Sequence, residues 1–336
     1  MAWEILATAS TIEGVGAGAA GALKAAGCVI RCSTPFGPLT AAQLEGQLAG
    51  ADAIFASSDD YNAALLASPG AARLKIISRW GVGYDCVDLA ACTQRGIVAT
   101  YTPGLLDDAV ADYTFALLLG IARRIHTGHE AMSSGRWSQT WGHDVWGKTL
   151  GIVGCGRIGL AVARRASGFN MRVLAFDPAP SDAAQKLGVE CVSLECLLSQ
   201  SDFVSLHAAV TPGNRGLIGA REFRLMKPDA YFINASRGAL VDEAALARAL
   251  HEGTIAGAAV DAYITEPLPK DHPLRGAPHV LLAPHQASFA RETGARVSAL
   301  CARAILDLHE GRRPQFVLNP EVLTSPQLRA RIESSK

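Results

Sequence analysis

The residues able to do chemistry in this chain fall into two groups. The first is Gly154-Cys155-Gly156-Arg157-Ile158-Gly159, set between an apolar run, Leu150–Val153, and a helical stretch reaching Ser167. Gly154 suits the tight turn out of a strand. Gly156, without a side chain, lets the backbone approach a pyrophosphate, and Gly159 lets the helix lie close to the sheet. The helix start then aims unpaired N–H groups and a positive dipole end at phosphates. A second apolar run, Arg172–Phe176, ends on Asp177, 18 residues after Gly159, near the spacing of a carboxylate that binds a ribose 2′-hydroxyl. Strand, turn, helix, strand and acid in this order point to a nicotinamide dinucleotide; a purely structural turn is the alternative. Asp177 favours NAD over NADP, because a carboxylate repels a 2′-phosphate, and Pro178-Ala179-Pro180-Ser181 bring no arginine to hold one.

The second group lies just after apolar runs, where ligands of open parallel sheets bind. Arg237 follows Tyr231–Asn234, and its planar guanidinium suits a carboxylate or ketone oxygen. Glu266 precedes Pro267 in a loop, and His285 follows Pro284 at the end of another run. Taken singly, each has a plain reading: a structural ion pair, a solvated glutamate, a core histidine. Paired, a carboxylate on one ring nitrogen orients an imidazole and favours its charged form, so that it can deliver a proton near neutral pH.

Elements must position these groups. A chain of 336 residues has room for two domains. Candidate strands are Trp3–Ala7, Cys28–Arg31, Ala53–Ala56, Leu74–Ser78 and Ile97–Thr100, with helical patterns at Gly16–Ala26 and Tyr61–Ala67. Pro103-Gly104 breaks the chain, and Asp107–Ala122 reads as a long apolar helix opened by acids, a candidate interdomain spine. Beyond the glycine loop, strands are expected at Phe203–His207, Tyr231–Asn234, Gly257–Asp261 and Val280–Ala283, and helices at Ala220–Met226, Asp242–His251 and Glu292–His309. Such alternation predicts an α/β protein of two Rossmann-like or flavodoxin-like doubly wound parallel-sheet domains with an interdomain active-site cleft. Residues 1–103 and 287–336 would form a discontinuous outer, substrate domain, and 104–286 the NAD-binding domain.

Bulk properties exclude other classes. Net charge is zero, so no broad basic surface points to nucleic acid or anionic membrane. The most apolar stretch, Tyr113–Ile121, is too short to span a bilayer, and the N-terminus lacks the pattern of a signal peptide, which predicts a cytoplasmic protein. Eight cysteines occur without a CxxC pair, so no metal site is expected; Cys155 is read as a modest side chain in the loop rather than a nucleophile.

At Arg237, Glu266 and His285 the chain resembles the D-isomer-specific 2-hydroxyacid dehydrogenases, a family that includes phosphoglycerate dehydrogenases and glyoxylate/hydroxypyruvate reductases. The resemblance covers nearly the whole chain. It is strongest in Ser78-Arg79-Trp80-Gly81-Val82-Gly83-Tyr84-Asp85, Ala109–Asp112, Gly147–Gly159, Met226–Asp242 and Gly257–His285. It implies that Arg237 binds substrate carboxylate and keto oxygen, that His285 exchanges the proton, and that Glu266 hydrogen-bonds His285. It also implies that Asp261 holds the nicotinamide carboxamide, that the Val82 and Gly83 amides bind substrate carboxylate, and that His207 and Pro212 line the adenine side. The cofactor-binding set is then Gly154, Gly156, Arg157, Ile158, Gly159, Asp177, His207, Pro212, Ala235 and Asp261. The expected reaction is NAD-dependent hydride transfer to a small 2-keto acid, and the family resemblance implies a homodimer built through the dinucleotide domains.

Departures narrow the substrate. Phosphoglycerate dehydrogenases carry an arginine after the third strand, where this chain has Ile54-Phe55-Ala56-Ser57-Ser58-Asp59-Asp60, and no regulatory serine-binding domain follows. An unphosphorylated 2-keto acid is therefore expected, with Arg79 still in reach of the pocket. Gln286 stands beside the histidine in place of a more usual isoleucine, Asn214 replaces a threonine, and Trp137, Trp141 and Trp146 suit either pocket, interface or loop packing. Phosphoglycerate dehydrogenase, phosphite dehydrogenase and a non-catalytic NADH-sensing corepressor remain as alternatives.

Overall fold

Short apolar strands alternate with helices from the N-terminus, and in the computed structural model every pairing between these strands is parallel. The structure describes residues 2–179 and 182–332. Pro180 and Ser181, part of the segment read as lacking an arginine, lie outside them.

The chain first lays down β1 (Glu4–Ala7), α1 (Ala17–Ala25), β2 (Val29–Cys32), α2 (Ala41–Leu48), β3 (Ala53–Ala56), α3 (Ala63–Ala67), β4 (Ile76–Arg79), α4 (Leu89–Gln94) and β5 (Val98–Thr100). The strands form one sheet in the order β2-β1-β3-β4-β5. Strands β3, β4 and β5 are buried throughout, as expected of parallel strands covered on both faces, while the edge strand β2 is partly exposed. In this unit two helices escaped the sequence reading, α2 and α4. Both are short and are started by side-chain caps rather than by a long apolar period: Thr40 and Gln43 form a capping box, and Asp88 accepts the Ala91 N–H at 2.9 Å.

The second sheet belongs to α5 (Asp107–Ala122), α6 (Ile125–Ser133), β6 (Thr149–Val153), α7 (Arg157–Ala166), β7 (Arg172–Phe176), α8 (Asp182–Lys186), β8 (Glu190–Cys191), α9 (Leu194–Gln200), β9 (Phe203–Leu206), α10 (Ala220–Leu225), β10 (Tyr231–Asn234), α11 (Glu243–His251), β11 (Gly257–Val260) and β12 (Val280–Leu282). Its order is β12-β11-β10-β9-β6-β7-β8, so the strand sequence reverses at β6, where the glycine loop leaves the sheet. Alternate side chains of β6 serve separate cores. Leu150 and Ile152 pack with α5 and α7 residues such as Phe115, Leu118, Ala161 and Val162; Val153 packs with Leu197 and Leu206 on the other face.

After β12 the chain forms α12 (Arg291–His309), which returns to the first sheet. Ser78 Oγ donates to the Cys301 carbonyl at 2.9 Å, and Trp80 Nε1 to Ser298 Oγ at 2.9 Å. The following segment crosses the β5 edge, where Asn319 Oδ1 accepts the Ala99 N–H at 2.9 Å and the Leu318 N–H reaches the Ala99 carbonyl at 2.8 Å. The chain thus divides into two compact units, Met1–Leu106 with Phe289–Lys336, and Asp107–Ser288. Both are doubly wound parallel α/β units.

Candidate active site

The glycine loop has the shape a pyrophosphate requires. Gly154 leaves β6 with φ +93°, and a Cβ there would meet the Ala208 amide nitrogen at 2.4 Å. A Cβ on Gly159 would lie 2.3 Å from the Gly154 carbonyl oxygen, so helix and loop touch backbone to backbone. A Cβ on Gly156 would meet nothing within 4 Å, which marks open space beside the loop. Helix α7 starts at Gly156 with no side-chain cap, so its first N–H groups keep their capacity for a ligand. Asp177, just beyond β7, accepts the Cys155 N–H at 2.7 Å and the Ala179 N–H at 2.8 Å. Each carboxylate oxygen retains a second lone pair, enough for a ribose hydroxyl. Arg157 lies exposed at the helix start, followed by the half-buried Ile158. Burial pushes the Cys155 thiol up to about 11, with Asp177 adding to the effect, so it stays protonated at neutral pH.

His207 ends the stretch after β9. Its Nε2 pairs with Ser205 Oγ at 2.8 Å, while its Nδ1 is buried without a partner among the described residues. Burial lowers its pKa to about 4, so the ring is neutral. Pro212 stands exposed on the loop that follows, and Ala235 is half-buried just beyond β10. An orphaned ring nitrogen, an uncrowded glycine and an uncapped helix on one side of the sheet fit a dinucleotide.

Arg237, Glu266 and His285 come from three loops beyond β10, β11 and β12. Nδ1 of His285 lies 2.7 Å from Glu266 Oε2 and 2.8 Å from Oε1. A carboxylate only accepts, so Nδ1 carries the proton and Nε2 is left for other work. Burial pushes the Glu266 carboxyl up, but the His285 hydrogen bond and charge, the Tyr263 N–H at 2.9 Å and the Arg237 guanidinium outweigh it and leave it below the usual range. Arg237 is half-buried, with Nη1 donating to the Ser236 carbonyl at 2.9 Å. Its loop is pressed onto the Glu266 loop, for a Cβ on Gly238 would sit 1.9 Å from the Tyr263 carbonyl carbon.

Asp261 is fully buried, and its carboxylate accepts the N–H groups of Gln286 and Ala287, both at 2.9 Å. It therefore braces the turn that carries His285, a residue held at φ +52°. Burial raises its pKa against the pull of those amides. Three supporting residues went unnoticed in the sequence. Tyr263 Oη donates toward the Val260 and Ala283 carbonyls, each at 2.9 Å. Asn234 accepts the Ser236 N–H at 3.0 Å and donates to the Arg237 carbonyl at 3.1 Å. Tyr113 Oη accepts from Gln286 Nε2 at 2.8 Å, so the glutamine side chain is tied to α5. Only proximity across the sheet marks them; no motif does.

In the other unit, Val82 and Gly83 are half-buried in the turn after β4. Thr102 pins that turn by accepting the Gly81 N–H through Oγ1 at 2.9 Å and donating its own N–H to the Gly81 carbonyl at 3.0 Å. Among the described residues no group accepts the Val82 or Gly83 N–H. No trio of metal-ligating side chains occurs among the described residues, and no helix there is long and apolar enough to cross a membrane.

Known proteins resemble this chain in sequence and fold. Residues 115–287 match the family described as D-isomer specific 2-hydroxyacid dehydrogenase, NAD binding domain. A glyoxylate reductase of Korarchaeum cryptofilum is 45% identical over 260 residues, 75% of this chain and 78% of the relative. The TT0316 protein of Thermus thermophilus superposes with a TM-score of 0.84 at 37% identity, over 94% of this chain and 99% of that one. D-lactate dehydrogenase of Escherichia coli does so with a TM-score of 0.81 at 29% identity, over 94% and 99%. A match over half the chain, with close relatives over three quarters of it, carries an NAD-dependent activity on the CH–OH group with it: the chain belongs to the D-isomer-specific 2-hydroxyacid dehydrogenases.

Proposed function

We propose that this chain reduces glyoxylate, or a similarly small unphosphorylated 2-keto acid, to the 2-hydroxy acid, and that Arg237, Glu266 and His285 carry the chemistry. The observation that supports this reading is the His285–Glu266 pair at 2.7 Å, with Nδ1 engaged and Nε2 available. When bound, NADH would supply the hydride for the carbonyl carbon. His285 Nε2–H donates its proton to the carbonyl oxygen as charge builds there. Glu266 holds the ring in that tautomer and stabilises the imidazolium before transfer. Arg237 polarises the carbonyl and grips the carboxylate; in the other unit the Val82 and Gly83 amides are donors suited to a carboxylate. Asp261 keeps the His285 turn in place and offers its remaining lone pairs to the nicotinamide carboxamide. Gly154, Gly156, Arg157, Ile158 and Gly159 bind the pyrophosphate, Asp177 the ribose, and His207, Pro212 and Ala235 border the rest of the dinucleotide.

The same reading includes a homodimer and a cytoplasmic location. Ile125 and Met132 of α6, with Trp137, Trp141 and Trp146, are large apolar side chains left exposed on the dinucleotide-binding unit, and Trp141 is 96% exposed; exposed apolar side chains of this size suit an association site. The exposed thiols of Cys32 and Cys191 suit a reducing compartment. Sedimentation analysis of the wild type and of Trp141→Ser tests the dimer.

The catalytic reading is tested by NADH oxidation with glyoxylate, hydroxypyruvate, pyruvate, longer 2-keto acids and phosphohydroxypyruvate. Rapid turnover of a small unphosphorylated acid is expected, with His285→Ala abolishing most of it while NADH affinity is kept. Preference for the phosphorylated acid, or unchanged turnover in His285→Ala, would overturn the assignment.

A further inference from the structure

Helix α11 opens with Glu243, which is only 7% exposed. A glutamate in a first turn ordinarily serves the dipole of its own helix. Here the cap is already in place, because Asp242 accepts the Ala245 N–H at 2.8 Å. Both oxygens of Glu243 turn instead to the loop beyond β11. Oε1 accepts the Ile264 N–H at 2.8 Å, and Oε2 lies 3.0 Å from His272 Nε2. His272 Nδ1 accepts the Leu274 N–H at 3.3 Å, so the ring proton sits on Nε2 and points at Glu243. Leu274 is fully buried in the core of this unit, which fixes the imidazole from behind.

Ile264 and His272 stand on either side of Glu266 in the chain. One carboxylate of α11 thus clasps the loop both before and after the residue that holds His285. Consecutive amides serve the two glutamates: the Tyr263 N–H bonds Glu266 at 2.9 Å, and the Ile264 N–H bonds Glu243 at 2.8 Å. The Ile264 side chain is 59% exposed, so the backbone is held there by this bond rather than by burial of that side chain. A carboxylate out of water is costly unless its lone pairs are bonded, which favours a single arrangement of the loop around it. We propose that Glu243, oriented by His272, is a positioning residue for the reduction: it sets the backbone of 262–266 so that the Glu266 carboxylate meets His285 Nδ1 at 2.7 Å. The proposal rests on the reading of Arg237, Glu266 and His285 as the catalytic set, and Glu243 acts through Glu266 alone.

The test is a double-mutant cycle in steady-state NADH oxidation, with the 2-keto acid that the wild type turns over fastest. Its members are wild type, Glu243→Ala, Glu266→Gln and the double variant, with His272→Asn alongside. Thermal melting establishes that each is folded. Glu243→Ala is expected to lower kcat by about tenfold or more, the order of effect of a slightly misplaced catalytic group. KM for the keto acid and affinity for NADH are expected to stay within about twofold. In the Glu266→Gln background the same substitution is expected to change kcat by less than about twofold, because the carboxylate that it positions is gone. His272→Asn keeps an acceptor for the Leu274 N–H but not the bond to Glu243, and is expected to give a smaller fall with the same non-additivity. If Glu243→Ala fails to fold, His272→Asn takes its place in the cycle. Wild-type kcat in the folded variants, an equal fall in both backgrounds, or a raised KM at constant kcat overturns the inference. A wild type silent on every keto acid, or a Glu266→Gln variant as fast as wild type, instead sinks the catalytic reading and this inference with it, so the two failures are distinct.

Discussion

Replacing Glu266 by glutamine probes the proton-delivery step with the least change in shape. The carboxylate lies 2.7 and 2.8 Å from His285 Nδ1 and also accepts the Tyr263 N–H at 2.9 Å through Oε1. An amide oxygen in the Oε1 position keeps the Tyr263 bond, which leaves the NH2 group beside Nδ1. The amide oxygen at Oε1 can still accept the ring proton, but the NH2 group replaces the oxygen at 2.7 Å and the negative charge is gone, so the counter-charge of the imidazolium is lost. A hydrogen bond to a charged group is worth about 1.5–3 kcal/mol, which corresponds to a fall of about 10- to 150-fold in kcat for reduction. Affinity for NADH is expected to hold, because the glycine loop is untouched. The pH dependence follows from the depressed carboxyl of Glu266, against an ordinary value of 4.5. The carboxylate is present above that value and is lost as pH falls through the lower folded one. The part of the kcat difference that comes from the Glu266 charge is therefore complete above the ordinary value and is lost only as pH falls below it. Stopped-flow absorbance of NADH with saturating keto acid measures it. A kcat within twofold of wild type at pH 7 would refute the orienting and charge-stabilising role of Glu266.

Further outcomes are expected from the packing and the charges. Gly238→Ala would drive a Cβ to 1.9 Å from the Tyr263 backbone, so turnover is expected to fall by more than about 100-fold or the protein to lose several kcal/mol of stability; wild-type kinetics and melting would contradict that crowding. Asp177→Ala removes both the candidate ribose acceptor and the Cys155 anchor, and is expected to weaken NAD about tenfold or more while improving the NADPH/NADH ratio; an unaltered ratio in cofactor titrations would remove Asp177 from cofactor choice. Asp52 accepts from Lys75, from Arg73 at 2.6 Å and from the Glu4 N–H at 3.0 Å; burial raises its carboxyl, but these partners prevail and hold it below its ordinary value. Asp52→Asn is expected to cost about 1–3 kcal/mol at pH 7. That gap is complete above pH ~4 and closes as pH falls through the lowered folded value; melting curves with a gap that widens in acid would contradict the sign.

Local chemistry accounts for what the amino-acid order determined by itself. Buried parallel strands are continuous apolar runs, so β3, β7 and β10 are legible end to end, and the apolar face and opening acids of α5 mark its whole length. The glycine loop is legible because backbone approach and helix packing exclude side chains at fixed spacing. Arg237, Glu266 and His285 are legible because each stands at a strand end. What belongs to the tertiary structure depends on residues far apart in the chain. Asp261 becomes the brace of the His285 turn only when β11 and β12 lie side by side, 25 residues apart in sequence from Gln286. Gly238 has no room for a Cβ because the Tyr263 backbone crosses it, which no turn rule foretells. The short helices α2 and α9 are set by caps and by burial against their sheets rather than by a long period. Arg79 is plain in the sequence as a charge, but only folding buries it and leaves its Nε without a partner among the described residues.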